Sequence, residues 1–132
     1  MNRLLLDTTF LIDAERAGDD LDELIADEDD VSIAAISVAE LHVGVELSDG
    51  RNRARRQAFV EDVVASVPVL SYDLDVAAAH AELLVAVRRQ GIRRGAHDLI
   101  IAATAKASNR TVVTADTTAF RDLPDVSVRG HH

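Results

Sequence analysis

Short apolar runs alternating with longer amphipathic stretches limit what this chain can fold into more than any other feature. Arg3–Leu6, Val31–Ala34, Val67–Leu70 and Thr111–Thr114 read as buried strands, with Val126–Val128 as a candidate fifth. Between them the apolar spacing predicts helices over Thr9–Arg16 and Leu21–Ala26. The pattern Ser37-x-x-Glu40 predicts a capping box opening a helix that runs to about Leu47. Asp49–Gly50 marks a turn, and Asn52–Ala65 a further helix. Asp73 is placed to cap a long helix reaching Gln90, closed by Gly91. Gly95 precedes a last helix, about Asp98–Ala107, which is apolar nearly all round and therefore expected to be central. Strands alternating with helices predict an α/β fold: a central parallel sheet of four or five strands with helices on both faces. The 132 residues fit one domain, expected over residues 1–130, with His131 and His132 as a natural tail or tag remnant.

Hydrophobic residues make up 48% of the chain but aromatics only 3%, so Leu, Ile, Val and Ala must fill the core. The absence of cysteine excludes a disulfide scaffold and any thiolate metal site. No run approaches the roughly 20 apolar residues of a membrane span. Asp7 interrupts the first apolar run too early for a signal peptide, and a soluble cytoplasmic protein is expected. The net charge of −9 argues against a protein that coats nucleic acid by bulk attraction. Eight of the 14 bases nevertheless fall in two acid-free clusters, Arg51, Arg53, Arg55, Arg56 and Arg88, Arg89, Arg93, Arg94. The acids Asp19, Asp20, Asp22, Glu23 and Asp27–Asp30 read as a solvated face.

Ligands of an open parallel sheet gather beyond the carboxyl ends of its strands, and that rule selects among the 23 acids. Asp7 follows the first strand and Asp116 the fourth. Glu40 lies in the first turn of the helix after the second strand, and Asp98 opens the helix before the fourth. Taken singly, Glu40 is explained by its capping box, Asp98 by the helix dipole and Asp116 by a turn. Taken together, the four converge on one end of the sheet. Like charges sharing a site repel, and a divalent cation removes the conflict. All-oxygen ligation suits Mg²⁺ or Mn²⁺, which polarises a phosphoryl oxygen and lowers the pKa of water; the chemistry is in-line hydrolysis of a phosphodiester.

Four segments then carry a family resemblance. Leu4-Leu5-Leu6-Asp7-Thr8-Thr9-Phe10-Leu11-Ile12-Asp13 resembles the opening of PIN domains. Ile36-Ser37-Val38-Ala39-Glu40-Leu41 with Gly44 resembles the second motif of that family. Asp98-Leu99-Ile100-Ile101-Ala102-Ala103-Thr104-Ala105 resembles the third, and Val113-Thr114-Ala115-Asp116 with Phe120 the fourth. The motifs stand in family order from residue 4 to residue 120, with Thr9 where Asn or Ser is common. The resemblance implies that Asp7, Glu40, Asp98 and Asp116 are the metal-site acids. It implies that Thr114 helps orient water at the ion. It further implies a Mg²⁺- or Mn²⁺-dependent endoribonuclease, a VapC-like toxin that forms a homodimer and is inhibited by a small antitoxin. The alternative is a PIN-like module that binds RNA or protein without catalysis.

Arg88, Arg89, Arg93 and Arg94 are expected to hold RNA phosphates, or else to complement the dipole of a helix end. Arg51–Arg56 sits where four positive charges oppose a helix dipole, which points to an anionic partner. His97, beside Asp98, is not assigned as a general base, because the ion itself lowers the pKa of water. The wide apolar face of Leu74–Val87 marks either a dimer face or burial within the fold. A receiver-like domain would need a lysine at a strand end, but Lys106 lies inside a helix. A haloacid-dehalogenase-like phosphatase would need Asp where Thr9 stands.

Overall fold

The computed structural model describes residues 2–18 and 28–131. The expected helix Leu21–Ala26 and the acids Asp19 to Asp27 lie outside them. The elements run β1 (Arg3–Leu6), α1 (Thr8–Ala17), β2 (Asp30–Ala34), α2 (Ala35–Glu46), α3 (Gly50–Ser66), β3 (Val69–Leu70), α4 (Leu74–Gln90), α5 (Ala96–Ala107), β4 (Thr111–Thr114), a 3-10 turn (Thr117–Phe120) and β5 (Val128–Gly130). All pairings are parallel, in the order β3-β2-β1-β4-β5. The chain builds β1 to β3 outward on one side, then returns to add β4 on the other. The order therefore reverses between β1 and β4, and a crevice opens at their carboxyl ends.

The alternation of side chains along a strand produces two apolar layers. Leu4 and Leu6 of β1 face one layer with Val113, Phe10 and Leu11, covered by Leu41, Val45, Val60 and Val63 from α2 and α3. Leu5 faces the other, with Val112, Leu83 of α4, and Leu99 and Ala102 of α5. Ile101 to Ala105 are all buried, as the all-round apolar pattern of α5 predicts. Its alanines let α4 and the sheet approach closely.

Local chemistry sets the ends of the elements. Asp73 Oδ1 accepts from the Val76 N–H at 2.9 Å, and Gly91 closes α4 in the left-handed region at φ 70°, both as expected. Several expectations need correction. The third strand is only Val69–Leu70, because Val67 closes α3 by donating to the Val63 carbonyl. Ser37 does not cap α2: β2 passes directly into the helix at Ala35, and Ser37 is turned inward and fully buried. The turn expected at Asp49–Gly50 is instead the start of α3, with Gly50 in the left-handed region at φ 56°. The fifth strand lies at Val128–Gly130, because Val126 donates to the Leu123 carbonyl and closes a turn with Asp122 and Asp125 at positive φ. His131, set apart as tail, donates its backbone N–H to the Thr114 carbonyl at 2.8 Å.

Asp30 is no simple solvated acid. Arg110, whose side chain is 8% exposed, places Nη1 3.0 Å from Asp30 Oδ1 and 2.8 Å from the Asp30 carbonyl. The same Nη1 lies 3.2 Å from the Leu4 carbonyl, so one guanidinium ties β4 to the starts of β1 and β2. Removing one partner of such a pair strands buried polar groups. Arg110→Met is expected to lose about 2–3 kcal/mol of stability in urea unfolding, the half-open Asp30 keeping the loss below that of a fully buried pair. A change below about 0.5 kcal/mol, the scale of an ordinary surface substitution, would contradict that role.

Candidate active site at the carboxyl edge of the sheet

Asp7 leaves β1 and caps α1. Its Oδ1 accepts from the Phe10 N–H at 3.0 Å and from Thr9 Oγ1 at 2.8 Å. Its Oδ2 accepts from Thr114 Oγ1, at the end of β4, at 2.8 Å. Thr114 Oγ1 in turn accepts the Asp116 N–H at 2.9 Å, and Thr9 Oγ1 accepts the Ala115 N–H at 3.1 Å. These hydroxyls bridge the crevice between β1 and β4. Asp7 is only 2% exposed, and burial raises its pKa above the ordinary carboxylate value although all three hydrogen bonds oppose that; the charge of Glu40 adds to the rise.

Glu40 stands in the second turn of α2, not in a capping box. Thr8 Oγ1 donates to its Oε1 at 2.9 Å and lies 3.0 Å from Ser37 Oγ. The buried Ser37 therefore supports the threonine that holds Glu40. On the other side, His97 Nδ1 lies 3.7 Å from Glu40 Oε2, with the imidazole more than half exposed.

Asp98 falls in the first turn of α5. Its pKa is raised first by burial, then by the charges of Asp7, Glu40 and Asp116, and His97 partly offsets this. That coupling brings all four sequence-selected acids into one electrostatic neighbourhood. Gly95, just before the helix, makes room for the carboxylate: a Cβ there would lie 2.7 Å from Asp98 Oδ2. Asp116 is exposed and precedes the 3-10 turn without capping it. Its turn is tied down by Arg94, whose guanidinium donates to the carbonyls of Thr118 and Arg121. Arg94 thus spends donors on the fold, whereas Arg88, Arg89 and Arg93 are exposed.

Among the described residues no three His, Asp or Glu side chains stand in ready coordination geometry. The donor set still fits a hard divalent cation. It is all oxygen, it is held by hydroxyls that leave carboxylate lone pairs free, and its charges oppose one another through Asp98. Sequence reasoning missed Thr8, Thr9 and Gly95 as parts of this site. The Thr-Thr pair directly after Asp7 was the available signal, since two hydroxyls at a helix start reach opposite neighbours.

The raised pKa of Asp98 has a sign. A carboxyl raised in the fold favours folding while protonated, and that contribution is lost as pH rises through the raised value. Once ionised, Asp98 therefore works against the cation-free fold. Asp98→Asn is expected to raise the cation-free melting temperature at pH 7. The gap should close as pH falls toward the ordinary value of 3.8. Calorimetry across that range checks it; a variant less stable than wild type at pH 7 would contradict the electrostatic reading.

Comparison with known proteins agrees with this architecture. The family model described as PIN domain matches residues 4–126. Ribonuclease VapC of Rickettsia bellii is 29% identical over 126 residues, covering 95% of this chain and 93% of that protein. Ribonuclease VapC5 of Mycobacterium tuberculosis is 36% identical over 113 residues, covering 85% of this chain and 82% of that protein. The crystal structure of VapBC-5 from Mycobacterium tuberculosis, from the VapBC family of toxin–antitoxin systems, superimposes with a TM-score of 0.81 at 29% identity, over 99% of this chain and all of that one. With a family model spanning nearly the whole chain and relatives aligned over most of their length, this protein belongs to the PIN domain family.

Proposed function

We propose that the chain is a divalent-metal-dependent endoribonuclease, the toxin of a toxin–antitoxin pair, acting in the cytoplasm. The observation that carries this reading is the electrostatic coupling of Asp98 to Asp7, Glu40 and Asp116 at the switch point of the sheet. The names of its relatives support the activity, and the complex of VapBC-5 supports an antitoxin partner. Asp7, Glu40, Asp98 and Asp116 would hold Mg²⁺ or Mn²⁺. A cation held there supplies the positive charge that polarises the scissile phosphoryl group and lowers the pKa of water.

The chain's own groups do the rest. Thr9 and Thr114 fix both oxygens of Asp7, so its carboxylate needs no reorganisation. Thr8 fixes Glu40 in the same way. Thr114 Oγ1 also holds the Asp116 N–H and so aligns the fourth acid with the first. The exposed Arg88, Arg89 and Arg93 offer guanidinium forks to RNA phosphates, and Arg94 keeps the Asp116 turn beside them.

Purified protein freed of any partner should cut structured RNA in Mg²⁺ or Mn²⁺ and not in EDTA. Asp7→Asn should lower the rate by at least about a hundredfold, the scale of losing a preorganised electrostatic group. Cutting that persists in EDTA or in the variant would contradict the assignment. RNA bound but never cut, whatever the cation, would favour the binding module. Arg93→Glu should raise KM and flatten the salt dependence; an unchanged KM would remove the arginines from the interface.

A homodimer is part of the same proposal. Tyr72, Leu74 and Val69 leave large apolar surface exposed beside a groove lined by Ile36, Leu70 and Ile100. Within the fold α4 buries Val76, Ala79 and Leu83 and leaves Leu74, Leu84 and Val85 exposed, Leu74 at its start the most. Sedimentation should give two copies for wild type and one for the double substitution Tyr72→Glu, Leu74→Glu. A wild-type monomer at micromolar concentration would contradict it.

A further inference from the structure

We infer that the cavity between α1 and α2 is a subsite for a single nucleotide, the one adjoining the scissile phosphate; this rests on the endoribonuclease reading. The cavity measures about 190 Å³ and shares Glu40 with the carboxylate cluster. Ile12, Leu41 and Gly44 give it an apolar floor, and the charged side chains of Glu15, Arg16 and Arg56 surround it. A strand whose phosphate lies at the acids has its next nucleotide within one backbone repeat of Glu40. The cavity is therefore where that nucleotide can go.

Gly44 provides an independent observation. Glycine inside a helix costs about 1 kcal/mol relative to alanine. Here neither packing nor backbone asks for it: a Cβ at Gly44 would meet only Arg56 Nη1, at an ordinary 3.9 Å, and its φ is not among the positive ones. Gly44 lies one turn after Glu40, on the same face of α2. A side chain there would enter the cavity, so the glycine keeps the space beside Glu40 open.

Arg56 accounts for part of the Arg51–Arg56 cluster. Its Nη1 donates to the Gly44 carbonyl at 3.1 Å and to Ser48 Oγ at 2.7 Å, and its Nε lies 3.8 Å from Glu15. Arg53 and Arg55 are engaged by Glu46 and Asn52. Arg56 is thus a pre-ordered cation at the cavity, which spares an incoming anion part of the ordering cost. A flat ring with an attached phosphate matches an apolar floor rimmed by guanidinium groups. Glu15 can accept from a base amino group. At this size the cavity takes one ring system, well below the 300–1,000 Å³ of typical ligand pockets.

The test is an NMR titration of the cation-free full chain with each of the four nucleoside 5′-monophosphates, with ribose 5-phosphate as control. Saturable shifts at the Gly44 amide and the Ile12 and Leu41 methyls are expected for at least one base and not for the control. Gly44→Leu should weaken that binding at least tenfold, and Gly44→Ala, which fits the space, should weaken it less. In RNA cutting, Gly44→Leu should change the base preference at the cut site. Equal shifts from ribose 5-phosphate, or no shift at Gly44, would overturn the subsite. A chain that binds the nucleotide at Gly44 but cuts no RNA in any cation would sink the nuclease reading and keep the nucleotide site.

Discussion

The buried carboxylate of Asp7 is the constraint on which the site depends. A charge at 2% exposure is costly, and its pKa is raised accordingly. The fold offsets part of that cost with three donors, two from the start of α1 and one from the end of β4. Those donors also do structural work. Phe10 N–H is the capped end of α1, and Thr114 is the end of β4. The same contacts that make Asp7 tolerable hold the crevice between β1 and β4 at a fixed width. The repulsion that remains, felt at Asp98, is what a cation would neutralise.

The periodic features of the fold were legible in the sequence because they follow from local rules. Strands β1 and β4 and the Asp73-to-Gly91 limits of α4 agree residue by residue with the apolar runs and caps that announce them. The failures share a cause. Ser37-x-x-Glu40 satisfies the capping pattern, but the cap falls three residues earlier, at Ala34, and Ser37 meets Thr8 instead. Val126 reads as strand, but positive φ at Asp122 and Asp125 spends two residues on a turn first. Asp30 belongs to an acidic run, but Arg110, 80 residues away, takes it out of that run. No local pattern encodes a partner so distant.

The four acids could be selected from the sequence because strand ends and helix starts can be placed from periodicity, and Asp98 feels the charges of the other three. Their hydroxyl partners could not be, since a threonine after a strand has several plausible neighbours until the sheet order is known. The order β2-β1-β4 puts α2 on one side of Thr8 and β4 on the other side of Thr9. Gly95 and Gly44 show the same limit from the opposite direction. One leaves room for a carboxylate and the other for a cavity, and a glycine code letter does not reveal what its missing side chain makes possible.

The central claim is that Asp7, Glu40, Asp98 and Asp116 form one cation site. Anomalous scattering from crystals grown with Mn²⁺ tests it most directly. One peak, or two about 3.5–4 Å apart, within ligand distance of Asp7 and Asp98 is the predicted result. Ordered Mn²⁺ elsewhere on the protein, with none at these carboxylates, would contradict it.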